Sequence, residues 1–154
     1  MASAFVPQGS GWVWPLLALS AFAVVSALGA RRAVLVLALV YIGVTAVTEA
    51  MVWWRIQDGT LLPYAAYELD TGPSFVVVAA MVVAIGCARP LWWRAVWLLL
   101  LGAAAPDLLA GLADGEVAAA GHVLAALAGL AVVLTRRLRC RRPAAQPTRE
   151  PVLR

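Results

Sequence analysis

The chain is 154 residues long, 64% hydrophobic and only 13% charged, with a formal net charge of +4. Soluble domains carry about 25% charged residues. Here the deficit runs along most of the chain, which excludes a water-soluble globular domain and leaves no room for one beside the apolar segments. All twelve basic residues are arginine. They lie next to apolar segments instead of forming a patch of their own, so nucleic acid is not an expected partner.

A helix needs roughly 20 apolar residues to cross the ~30 Å hydrocarbon core of a bilayer. Five segments are read as doing so: residues 12–29, 33–54, 73–88, 91–113 and 117–135. The fold class predicted is an all-α integral membrane protein, a bundle of five transmembrane helices over residues 1–135 with a disordered basic tail over 136–154. The richness in Arg, Ala, Val, Leu and Gly resembles the coding bias of GC-rich bacteria. The expected location is therefore the bacterial cytoplasmic membrane. Residues 1–11 hold no Lys or Arg, so the positive n-region of a signal peptide is missing and the first segment is expected to be retained.

In chain order, Arg31 and Arg32 close the first span, and Trp53 and Trp54 mark the far end of the second. The connection 55–72 carries an Asp58-Gly59 turn signal, two tyrosines (Tyr64 and Tyr67) and two acids (Glu68 and Asp70). It reads as an interfacial linker or as a lid over a polar site. Thr71, Gly72 and Pro73 suit a helix start. The third span is short for a full crossing and stops before Arg89 and Pro90. The fourth contains Pro106, which cannot donate to the Gly102 carbonyl, so a kink is expected. A tight turn at Asp114, Gly115 and Glu116 leads to the fifth. The tail holds seven arginines with Pro143, Pro147 and Pro151, a composition that does not fold and that is drawn to an anionic leaflet.

The arginines set the orientation. Arg31, Arg32, Arg89, Arg94 and the run Arg136, Arg137, Arg139, Arg141 and Arg142 fall on one side of a five-span chain, with only Arg55 on the other. Basic residues favour the cytoplasmic side, which predicts the N-terminus outside and the C-terminus inside. Tryptophans favour the headgroup level: Trp12, Trp14, Trp53 and Trp54 are assigned to the outer boundary, and Trp92, Trp93 and Trp97 to the inner one. Cys87 and Cys140 fall on the cytoplasmic side, where a structural disulfide is not expected. They have no metal-ligand spacing, so neither a metal nor another cofactor is expected.

Three ionisable residues lie within spans: Glu49, Asp107 and His122. A charge in hydrocarbon costs at least ~2.5 kcal/mol, and intramembrane ionisable groups are candidates for function. Tyr41, Thr45, Thr48 and Glu49 are spaced as a polar stripe on the second span, which is expected to face inward. Asp107 and His122 lie at similar distances from the turn at Gly115, so an antiparallel hairpin places them at matching depth in the outer half of the bilayer. Ala118, Ala125, Ala126 and Gly129 share the face of His122 and allow close helix approach.

These features predict an acid–base site near the outer leaflet. Glu49 or Asp107 would be the proton donor and His122 the partner base, with Tyr41, Thr45, Trp53, Tyr64 and Tyr67 as candidate substrate contacts. In design, though in no quotable motif, the arrangement resembles small integral-membrane terpene cyclases, which also use acids inside a helical bundle. The resemblance implies an isoprenoid-like, lipophilic substrate. Two other classes stay open: a non-catalytic subunit of a larger membrane complex, and a proton-coupled carrier. The partners expected are membrane lipids, a lipophilic small molecule, and a membrane protein or a second copy of the chain. An enzyme requires a closed apolar pocket beside the acids, whereas a subunit requires an exposed face of small residues.

Overall fold

A computed structural model describes residues 13–63 and 73–141. Those residues form five helices and no strand: α1 (Val13–Leu28), α2 (Ala30–Gln57), α3 (Ser74–Cys87), α4 (Leu91–Leu108) and α5 (Val117–Arg141). Two of them, α2 and α5, are long and apolar enough to cross a membrane; α1 and α3 are shorter apolar helices.

The breaks between helices have local causes. Gly29 adopts φ 82°, a left-handed conformation that other residues reach only at a cost. It separates α1 from α2 in a single step while its own N–H and C=O remain bonded to Val25 and Ala33. The second helix is longer than the apolar window 33–54, because arginine and glutamine are good helix formers and carry the helix on through Arg31, Arg32, Arg55 and Gln57. It ends at the Asp58-Gly59 turn, with the Trp54 indole N–H donating to the Asp58 carboxylate.

The fourth helix departs most from expectation. Instead of continuing to residue 113, it ends at Leu108, two residues after Pro106. A multi-residue turn follows, in which Gly111 sits at φ 74° and its carbonyl accepts from the N–H groups of both Asp114 and Glu116. A left-handed glycine cannot continue a right-handed helix, so Asp114 and Gly111 do not extend the helical face of Asp107. The fifth helix corrects the other boundary. It runs six residues past 135, to Arg141, so the start of the expected tail is helical; residues 142–154 lie outside the described part.

The centre of the bundle is α3. Nine of its fourteen residues are buried, and each of the three hydrophobic clusters draws on it. Phe75, Val78 and Ala79 join Val40, Val44, Leu108 and Ala125. Val77, Met81 and Ala84 join Ala23 and Trp97. Ala80 and Val83 join Val24, Ala33 and Val133. At about 21 Å, from 1.5 Å per residue, the helix that sequence reading found short is the one the others surround. Trp97 belongs to this interior, 1% exposed and with its indole N–H unpaired among the described residues, and not to a headgroup boundary.

The closest seam is α3 against α5. A Cβ on Gly121 would come within 2.6 Å of the Phe75 ring, and one on Gly129 within 2.7 Å of the Ala79 carbonyl oxygen. With Ala125 between them, these residues recur every fourth position and so share one face of α5. The helices approach as closely as they do because that face has almost no side chains. The expected hairpin of α4 with α5 is a different matter: α5 packs on α3 and α2 and meets α4 only sparsely.

Candidate functional site

One ionisable side chain among the described residues is buried inside the bundle, and it is His122, 4% exposed. It follows Gly121 directly, so the close approach of α3 and α5 brings its ring against the start of α3. The ring meets that of Phe75 edge-on, with centroids 5.2 Å apart. Its Nδ1 lies 3.0 Å from the Leu108 carbonyl oxygen and its Nε2 3.2 Å from Ser74 Oγ.

The partners assign the protons. A carbonyl oxygen only accepts, so Nδ1 carries a hydrogen and donates to Leu108. In the neutral ring Nε2 is then an acceptor, and the Ser74 hydroxyl donates to it. The Leu108 carbonyl belongs to the last turn of α4, where carbonyls have no intrahelical donor. Ser74 is the first residue of α3. Through these two hydrogen bonds the one side chain of His122 joins the end of α4, the start of α3 and α5. A second joint closes the same end of the bundle: the Arg55 guanidinium, on the last turn of α2, donates to the Gly115 carbonyl in the α4–α5 turn.

The two acids are elsewhere. Glu49 and Asp107 are both exposed. The buried face of α2 is drawn by Val40, Val44, Thr48 and Val52. Glu49 follows Thr48, and one residue along a helix is about 100° around it. The polar stripe therefore splits. Thr48 turns inward, its hydroxyl donating to the Val44 and Thr45 carbonyls, while Glu49 turns out. In α4 it is Leu108 that turns inward, and Asp107, one residue earlier, points away. The expected acid–histidine–acid cluster is not what these helices assemble. His122 meets a serine and a backbone carbonyl instead.

The candidate substrate contacts scatter in the same way. Tyr41 and Trp53 are exposed, and Thr45 is half-buried, its Oγ1 enclosed without a hydrogen-bond partner among the described residues. Tyr64 and Tyr67 fall outside the described residues. The residue that sequence reading passed over is Ser74. Its position after Pro73 at a helix start was visible, but nothing in the sequence paired it with a histidine 48 positions away.

A hydroxyl held against an imidazole, with the imidazole oriented by a third group, is the spatial relation of an activated nucleophile and its base. The same three groups also satisfy the buried polar atoms of three helix segments, which is what a structural joint requires. No protein-family model matches this chain, and no curated protein or solved structure matches it.

Proposed function

We propose that the chain is a non-catalytic subunit of a larger membrane assembly, embedded in a bacterial cytoplasmic membrane through five helices with the N-terminus outside. The observation that carries this reading is the outward placement of Glu49 and Asp107 on otherwise apolar helices. Around Glu49 the exposed surface of α2 is Leu39, Ile42, Ala46 and Trp53. A Cβ at Gly43 of α2 or Gly102 of α4 would meet no other described residue within 4 Å. Small residues at a helix surface let a neighbouring backbone come close, and polar side chains hold transmembrane helices together. The one seam of this kind inside the bundle, α3 on α5, is already filled. The seams on α2 and α4 are open, and a carboxylate facing lipid there is costly without a partner.

The distribution of arginines supports the orientation, and exposed large apolar side chains such as Leu39, Phe22, Leu99 and Leu138 support immersion in lipid. Native membranes solubilised in a mild detergent test the role. The chain is expected to migrate with a mass well above its own micelle-bound monomer, and migration as a lone monomer would overturn the reading. Cysteine labelling from outside intact cells at a Thr60→Cys variant, against none at Cys140, tests the orientation.

A second reading has one specific observation in its favour, the Ser74–His122 pair. In it Ser74 Oγ attacks the carbonyl of a lipophilic ester, Nε2 of His122 takes the hydroxyl proton and returns it to the departing alkoxide, and water then hydrolyses the acyl-serine with His122 as base. A lipophilic fluorophosphonate should then label the wild-type chain and leave Ser74→Ala unlabelled; absence of labelling in native membranes rejects this reading.

A further inference from the structure

We propose that the exposed face of α2 centred on Glu49 binds a transmembrane helix of a different protein, one that carries a lysine or arginine in the outer half of its span. The inference rests on the subunit reading and names the chemistry of the partner.

The face has the form of a helix-packing seam. Leu35, Leu39, Ile42, Ala46, Glu49 and Trp53 are all exposed. Their separations alternate between four and three residues, the spacing that keeps one stripe of a helix against a second helix. The stripe is about 27 Å long by the helical rise, close to the full hydrocarbon thickness. Ala46, beside Gly43 and Ala50, leaves a shallow notch directly next to Glu49, where a facing backbone fits. A single polar residue in such a seam selects both the partner and the register.

Charge identifies the occupant. Glu49 makes no hydrogen bond or ion pair among the described residues. It lies about 13 Å along the helix from Asp58 and about 27 Å from Arg31 by the same rise, so it sits within the hydrocarbon on the side where α2 ends. Among the described residues, a second copy of this chain offers no free cation at that level. Arg31, Arg32, Arg89, Arg94, Arg136, Arg137 and Arg139 belong to the opposite end, and Arg55 is engaged with the Gly115 carbonyl. Pairing α2 with α2 of a like-oriented copy sets Glu49 against Glu49, and pairing it with α4 brings in Asp107. Like charges facing one another disfavour both. A cationic side chain on another protein's helix converts the cost of the exposed carboxylate into an interhelical ion pair.

The test uses the full chain, labelled with a donor dye through a C-terminal tag, in phosphatidylcholine vesicles. Three acceptor-labelled leucine–alanine transmembrane peptides are titrated: one with a single lysine in its outer half, one with the lysine in its inner half, and one with none. Energy transfer should report binding of the outer-lysine peptide about tenfold tighter than the other two, on the scale of one interhelical polar contact. Glu49→Gln should remove that preference and Asp107→Asn should keep it. Equal binding of the three peptides, or a preference that survives Glu49→Gln in a chain of unchanged helicity, overturns the proposal. So does energy transfer between two labelled copies of the chain that Glu49→Gln abolishes, which would make the face homotypic. A high-mass complex in native membranes that persists in Glu49→Gln would reject this partner chemistry while leaving the subunit reading intact; the lone monomer rejects both.

Discussion

Two stripes of small residues in this molecule use the same vocabulary and end in opposite states. On α5, Gly121, Ala125 and Gly129 lie beside His122; on α2, Gly43, Ala46 and Ala50 lie beside Glu49. The first stripe is occupied. The Phe75 ring and the Ala79 backbone fill the space a side chain would need, and both nitrogens of His122 have partners. In the second, a Cβ at Gly43 would meet no other described residue within 4 Å, and the carboxylate of Glu49 is exposed. Small residues allow close helix approach, and within the described residues only the α5 stripe is used in that way.

The largest effect that separates the two stripes is steric. Gly129→Leu puts a side chain onto backbone atoms of α3 that cannot rotate away. It is expected to destabilise the bundle by about 3 kcal/mol, the upper range for overpacking. Gly43→Leu should stay within about 0.5 kcal/mol, as surface changes do. Denaturation of the two variants in mixed SDS micelles measures the difference, and equal losses would mean that the two stripes are equally packed.

Next in size is the polar group of the filled seam. His122→Ala leaves the Leu108 carbonyl and the Ser74 hydroxyl buried without their partner, a loss of about 1–3 kcal/mol readable in the same micelle titration. Ser74→Ala removes only one of the two contacts and should cost less. The smallest effect on folding belongs to Glu49→Leu. The isolated chain should unfold within about 0.5 kcal/mol of wild type while its association with a cationic helix disappears. A large stability loss in Glu49→Leu would mean that the carboxylate holds this bundle together after all.

Much of the helical organisation was legible in the chain itself, because its signals are local. Apolar length, the Asp58-Gly59 turn and the Arg89-Pro90 boundary each act within a few residues, and α1, α2 and α3 start and stop within about three positions of the expected limits. The end of α4 was not legible. Residues 109–113 are apolar enough to continue a helix, and only the left-handed Gly111, bonded to Asp114 and Glu116, shows that they turn.

The site divides along the same line. Sequence alone marked Glu49, Asp107 and His122 as ionisable residues within apolar segments, since composition suffices for that. It did not determine which of them faces in. An amphipathic helix in water declares its buried face by contrast between apolar and polar sides. On α2 that contrast is missing: Val40, Val44 and Val52 point inward, Leu39, Ile42 and Trp53 point outward, and both sets are apolar. With no polar face to set the rotation, the close contact of Gly121 and Gly129 with α3 decides it for α5, and the valine face decides it for α2. Tertiary packing alone therefore turned His122 toward Ser74 and Leu108, and Glu49 toward whatever lies outside the chain.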